Sequence, residues 1–213
     1  MRPHPDYADD EKRAEPRLPV EGLVPFSTVD FPGYLAAVVF LRGCPWKCTY
    51  CHNPHLRGSG PGSMGWPDVR MLLERRADLL DAIVFSGGEP TLHADLPAAM
   101  EEARGLGYKI GLHTSGSHPG ALPKVLPLVD WVGLDIKAPL DERYDRITGR
   151  PGSARPLRES LRLVLASNAE VQLRTTVDPN VFEEDWLDEI DAKLAFRGQP
   201  ATVRQEMRPP PTL

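Results

Sequence analysis

The chain has 213 residues, 41% of them hydrophobic and 26% charged, and a formal charge of −5. This is the size and composition of one globular domain with its own core, and the negative balance argues against a nucleic-acid surface, which needs a basic stripe. The longest wholly apolar run, Leu35 to Leu41, is too short to cross a bilayer, and no basic-then-apolar segment opens the chain, so no secretory signal is expected.

Met1 to Pro19 is polar and charged and reads as a mobile tail, with residues 20–213 as a single domain. Val24 to Gly33 carries Pro25 and the turn signal Asp30-Phe31-Pro32-Gly33. Leu35 to Leu41 has the composition of a first strand buried on both faces. A cysteine-bearing loop follows, and then a Gly/Ser/Pro-rich connection from Arg57 to Gly65.

Pro67 suits a first helical position, and Val69, Leu72, Leu73, Leu79 and Leu80 make a helical stripe. Ala82 to Ser86 is a second strand, running into Gly87-Gly88-Glu89-Pro90. Leu96, Met100, Ala103 and Leu106 mark a helix closed by Gly107. Tyr108 to Leu112 is a third strand, ending in His113-Thr114-Ser115-Gly116. Pro119 to Leu128 is a short helix broken by proline, and Trp131 to Ile136 a fourth strand. Leu157, Leu161, Val164 and Leu165 form a helix face, and Val171 to Val177 alternates as a fifth strand. Trp186 to Leu194 is a last helix, and Ala201 to Met207 a sixth strand. Six strand–helix alternations predict an α/β fold with a parallel sheet and helices outside. Six units fall short of the eight that close a barrel, so periodicity alone leaves an open doubly wound sheet and a partial barrel both standing.

All three cysteines lie within eight residues, Cys44, Cys48 and Cys51. An odd number so closely spaced excludes a disulfide framework, and soft thiolates select iron–sulfur clusters, zinc or copper(I). A four-iron cluster normally takes four cysteines. Three leave one iron open to a small molecule, as catalytic zinc leaves a position for water. The alternative is structural zinc on the three thiols with His52 or His55. Such sites usually draw two separated ligand pairs, and no second pair exists here. Unpaired cysteines meant for metal point to a reducing cytoplasm.

Cys-x3-Cys-x2-Cys, with Tyr50 just before the last cysteine, resembles the signature of the radical S-adenosylmethionine enzymes. The longer stretch from Gly22-Leu23-Val24-Pro25-Phe26-Ser27-Thr28-Val29-Asp30-Phe31-Pro32-Gly33 to Tyr50-Cys51-His52-Asn53-Pro54 resembles the activating proteins of glycyl-radical enzymes. Within them the likeness is to the anaerobic ribonucleoside-triphosphate reductase activating protein, from about Gly22 to Pro209. The resemblance favours a partial (β/α)6 TIM-like barrel. It implies a 4Fe-4S cluster on Cys44, Cys48 and Cys51, with S-adenosyl-L-methionine chelating the open iron. It also implies a 5′-deoxyadenosyl radical that takes hydrogen from a glycine of a partner enzyme, and flavodoxin or ferredoxin as electron donor. Neither nucleic acid nor membrane enters as a partner.

The polar motifs fall at strand C-termini, where such folds bind ligands. By resemblance, Gly87 and Gly88 hold the methionine amino group, and Glu89 supports that loop. Asp135 and Lys137 lie against the methionine and ribose end, Tyr50 lies along the adenine, His52 covers the cluster or touches adenosine, and Arg174 reaches the carboxylate or ribose. Thr114 and Ser115 match a Thr-Asn-Gly segment that follows Asp in these activases. Here His113 replaces that Asp, which puts any cation site beside the cofactor in doubt. Without the resemblance, two glycines before a helix make a turn, Asp135 and Lys137 a solvated ion pair, and the Asp30 turn a tight entry into the first strand. The other functions to weigh are activation of another glycyl-radical enzyme such as pyruvate formate-lyase, a small-molecule enzyme such as a deazaguanine-forming synthase, and a zinc-stabilised binding module.

Overall fold

The computed structural model describes residues 15–183, 185–196 and 198–207. One sheet runs in strict chain order: β1 (Val20–Ser27), β2 (Ala36–Leu41), β3 (Ala82–Gly87), β4 (Lys109–Thr114), β5 (Trp131–Asp135), β6 (Glu170–Val177) and β7 (Val203–Glu206). Strands β2 to β7 are parallel, and they are the six strands of a partial barrel. The helices between them are α1 (Trp66–Arg75), α2 (Leu96–Gly105), α3 (Leu122–Val125), α4 (Glu142–Thr148), α5 (Ala154–Leu165) and α6 (Asp185–Ala195).

Two elements go beyond the sequence reading. β1 is a seventh strand, antiparallel to β2. Its register shifts on both sides of Gly22-Val24 and it leaves Val24 and Phe26 exposed, so no clean alternation advertises it. α4 is a single seven-residue helix, too short for a stripe. Asp141 caps it by accepting from the Arg143 N–H, and Gly149 ends it at φ 65°, a left-handed conformation that suits glycine. Smaller differences lie at element ends. α1 stops at Arg75, leaving Leu79 exposed and Leu80 buried beyond it, and β4 continues through His113 and Thr114. Of the expected tail, residues 1–14 lie outside the described residues. Leu18 is buried, and the Arg17 N–H donates to Asp95 Oδ2 at 2.9 Å.

The period-two alternation of strands gives the sheet two different faces. Ala37, Val39, Leu41, Ile83, Phe85, Ile110 and Leu112 pack with the helices in the main core. The inner face carries Ala36, Val38, Ala82, Val84 and Trp131, with Phe31 plugged among them. Phe31 comes from the Asp30 turn and stacks on Trp131, centroids 5.4 Å apart. Gly111 makes the room, since a Cβ there would lie 3.1 Å from the Phe31 ring and 2.9 Å from Val84. Towards the C-terminal ends the inner face turns polar, through Ser86, His113, Asp135 and Arg174. The plug closes one end of the barrel, and the polar end holds the site.

Candidate active site

A cavity of about 920 Å³ opens at the C-terminal ends of the strands. Cys44, Cys48 and Cys51 all line it, and none is in a disulfide. Main-chain bonds hold their loop on both sides. The Gly43 N–H donates to Leu56 O and the Cys44 N–H to Arg57 O; the Lys47 N–H donates to Thr148 O and the Thr49 N–H to Ile147 O. The unexpected helix α4 is thus the back wall of the cysteine loop. Trp46 is buried edge-on against Tyr144 of α4, and Arg57 Nη2 donates to Cys48 O at 2.8 Å. Burial pushes the Cys44 thiol up to about 11 and raises Cys48 too, with Lys137 pulling Cys48 the other way. Thiolates here need cationic company, which a metal centre provides. Among the described residues no three His, Cys, Asp or Glu side chains are grouped closely enough for a single ion.

Gly87 and Gly88 line the cavity, and their missing side chains have a specific reason. A Cβ on Gly87, at φ 114°, would lie 2.3 Å from Leu41 N, and one on Gly88 would lie 2.2 Å from Gly43 O. The pair lets the β3 end run backbone to backbone against the root of the cysteine loop. Gly88 N–H donates to Leu41 O and Glu89 N–H to Gly43 O. Glu89 is fully buried. Its Oε1 accepts from Thr91 N–H, the Thr91 hydroxyl and the Thr114 hydroxyl. Its Oε2 accepts from the Ser115 N–H and the Ser115 hydroxyl. Thr114 and Ser115 also line the cavity, but their hydroxyls are spent on this carboxylate. Glu89 thus links the glycine turn to the end of β4.

On the far wall Asp135 is held between two cations. Oδ2 takes Lys137 Nζ at 3.1 Å, and Oδ1 takes Arg174 Nε at 3.0 Å and Nη2 at 2.9 Å. Burial opposes the Asp135 charge, yet Lys137 and then Arg174 bring its pKa down to about 2. Burial also opposes the Lys137 charge, and Asp135 outweighs it, raising that pKa well above the ordinary lysine range. Gly133 clears space for the guanidinium, since a Cβ there would lie 2.8 Å from Arg174 Cζ. His113 sits on the inner face with Nδ1 3.3 Å from the Ser86 hydroxyl and Nε2 2.9 Å from Asp30 O. Nε2–H therefore donates to the carbonyl and Nδ1 accepts. Burial, then Arg174, lowers its pKa to about 4, so it is neutral and ties the Asp30 turn to the strand end. Ser27 Oγ donates to Asp30 Oδ2 at 2.5 Å, closing the turn from the other side.

The remaining expected residues also reach the cavity. Tyr50 is buried with its hydroxyl 3.4 Å from Lys137 O, and exposed His52 stands on the rim. All thirteen residues singled out in the sequence lie on this cavity or, for Glu89, directly behind it. The sequence reading missed Arg57, which lines the cavity and braces Cys48. It placed β7 as a strand but did not assign Arg204, Gln205 and Glu206, which lie on the cavity wall, to the site. Neither belongs to a motif, and Arg57 opens a stretch whose glycines read as a flexible connection. That stretch is in fact tied to β1 by Met64 N–H to Val20 O.

Comparison with known proteins follows the same lines. A family model described as the Radical SAM superfamily matches residues 38–192. A Methanocaldococcus jannaschii protein named as a glycyl-radical enzyme activating enzyme is 34% identical over 184 residues, covering 80% of this chain and 73% of that relative. The pyruvate formate-lyase-activating enzyme of Clostridium pasteurianum is 30% identical over 159 residues, covering 72% of this chain and 66% of its own length. The solved structure of QueE from Escherichia coli gives a TM-score of 0.52 at 14% identity, over 89% of this chain and 94% of that one, a likeness of fold alone. Superfamily members use a 4Fe-4S cluster and S-adenosylmethionine. The residues fit both groups: three unpaired thiols on one wall, glycine backbone beside them, and buried cations opposite.

Proposed function

The chain belongs to the radical SAM superfamily, and on that premise we propose that it is the activase of a glycyl-radical enzyme, most closely suited to anaerobic ribonucleoside-triphosphate reductase. Cys44, Cys48 and Cys51 hold the cluster. The Gly87-Gly88 backbone takes the methionine amino group, and Lys137 and Arg174 take the carboxylate and ribose end. Tyr50 and His52 flank the adenosine. When bound and reduced, a cluster held there would supply the electron for reductive cleavage of S-adenosylmethionine. The chain's share is to hold these groups in a cavity open enough to admit a glycine backbone. A glycine admitted there would give its Cα hydrogen to the 5′ carbon of the cleaved cofactor, and the unpaired electron would stay on the partner.

The observation that carries this reading is the placement of three thiols, an open glycine backbone and two buried cations around one cavity, in a chain whose relatives bear activase names. All three thiols serve one centre, so the electron comes from outside, through flavodoxin or ferredoxin. The test mixes cluster-loaded protein, S-adenosylmethionine and reductant with anaerobic ribonucleotide reductase from the same cell, and records the paramagnetic spectrum. A glycyl radical on the reductase, lost in Cys48→Ala, supports the reading. A radical only on pyruvate formate-lyase moves the assignment to that enzyme, and zinc in place of iron after anaerobic isolation ends it.

A further inference from the structure

β7 is the last strand of the sheet, with β6 as its neighbour on one side and no strand on the other among the described residues. All four of its residues are exposed. Its orientation follows from one bond. The Met207 N–H donates to Val177 O at 3.0 Å, so Met207 turns its main-chain groups towards β6. By the alternation of strands, Gln205 does the same, while Arg204 and Glu206 direct N–H and C=O to the free edge. The side chains alternate with the same period. Gln205 pairs with Thr176, which lines the cavity, so the odd-numbered residues share the inner face.

An unpaired edge is a template for another strand, and natural edges are usually short, charged or covered. This one is short, but it stands on the wall of the cavity that holds the cysteines. The other edge differs. β1 is bridged at Val20 by Met64, and none of its strand residues lines the cavity. Residues 209–211 are three prolines, which have no N–H to give a ladder. Recognition of a backbone glycine poses a particular problem, because that residue has no side chain to grip. Main-chain hydrogen bonds to an added strand, with pockets for alternate neighbours, are the general solution. In a strand added to β7, alternate residues aim inwards. At an inward position glycine offers a hydrogen where any other residue offers a Cβ.

We propose that β7 is the docking edge for the partner, and that the glycine-bearing segment of the target polypeptide adds to it as an extended strand. This rests on the activase reading and specifies how that site takes its substrate. The test uses the cluster-loaded protein with S-adenosylmethionine and two probes: the intact anaerobic ribonucleotide reductase, and a synthetic peptide carrying its radical-site glycine. Amide exchange in the segment 203–207 is expected to slow at least about tenfold with either probe. Peptides N-methylated at alternate positions should divide into a set that binds and a set that does not, because only one parity faces β7. Glu206→Pro removes an outward N–H without touching the β6 ladder, a placement that edge strands tolerate. It should weaken peptide binding about tenfold with iron content and S-adenosylmethionine affinity retained.

Unchanged exchange in the complex with the reductase, or equal binding by both methylated sets, overturns the proposal. The methylated series uses the wild-type protein, so it decides the matter even if Glu206→Pro fails to fold. A protein that loads a radical onto the reductase while its β7 amides stay unprotected refutes the docking edge alone. A protein that loads no glycine radical anywhere refutes the activase reading.

Discussion

Glu89→Gln tests whether the buried carboxylate behind the cavity is what joins the glycine turn to β4. The wild-type group accepts five hydrogen bonds from three residues while fully buried: Thr91 N–H and Oγ–H, Thr114 Oγ–H, and Ser115 N–H and Oγ–H. Glutamine keeps one carbonyl oxygen for Thr91 and Thr114. Its NH2 then faces the Ser115 N–H, a donor that cannot turn away, and the Ser115 hydroxyl must reverse. Hydrogen bonds to a charged acceptor contribute about 1.5–3 kcal/mol each, and a stranded buried donor costs about 1–3 kcal/mol. The expected loss is therefore about 3–5 kcal/mol, a large share of the roughly 5–15 kcal/mol that holds a domain together. Equilibrium urea unfolding of the cluster-loaded protein, followed by far-ultraviolet circular dichroism under anaerobic conditions, measures it. Thr91→Val, which removes one of the donors, should cost about 1 kcal/mol. A Glu89→Gln loss below about 1 kcal/mol would refute the reasoning, because the charge would then be holding nothing.

Gly88→Ala should lower stability and iron content together, since its Cβ would lie 2.2 Å from the Gly43 carbonyl beside Cys44; normal iron loading with only weaker S-adenosylmethionine binding would instead mean that the ligand alone needs the space. Asp135→Asn leaves Lys137 and Arg174 side by side without their shared anion and should cost about 3–5 kcal/mol, read from the same urea titration; an unchanged midpoint would show the triad to be solvated. His113 and Asp135 both have folded pKa values below their ordinary ones, so each contributes stability at higher pH that is lost on acidification. The His113 contribution, about 3 kcal/mol for a shift from 6.5 to about 4, is complete above pH 6.5 and disappears as the pH falls to about 4; that of Asp135 follows between 3.8 and about 2. His113→Gln should flatten the first window and leave the second, and a profile identical to wild type would refute the assignment.

The parts of the molecule legible in the sequence are those where local chemistry and global role coincide. Three cysteines in eight residues carry one meaning, and the buried parallel strands read as apolar runs because both faces are covered. β1 was hidden because it is an edge hairpin strand with a bulged register, so tertiary position rather than alternation determines it. α4 is hidden because about two turns of helix carry no periodicity to detect, although Asp141 and Gly149 are its caps. The glycines show the converse. In the sequence Gly87 and Gly88 point to a ligand's amino group or to a turn, and Gly133 carries no signal. The structure gives each a neighbour in the chain itself: Leu41, Gly43 and Arg174. Arg174 could be placed on a strand from sequence. Its partner Asp135 could not be assigned, since their contact depends on the register between β5 and β6.

The strict chain order of the sheet also has a consequence for how the protein is made. Each new strand has its neighbour already in place, so synthesis from the N-terminus builds the barrel wall by wall. The three thiols leave the ribosome by Cys51, long before the groups that shelter them: the glycine turn at Gly87, the cations at Lys137 and Arg174, and the back wall at Ile147 and Thr148. A nascent chain therefore carries a bare, oxidisable tri-thiol loop through most of its translation. Metal loading before α4 is finished would act on a loop lacking half its main-chain anchors. Two of the four main-chain anchors of the cysteine loop, at Ile147 and Thr148, thus lie about a hundred residues further along the chain than the thiols they support.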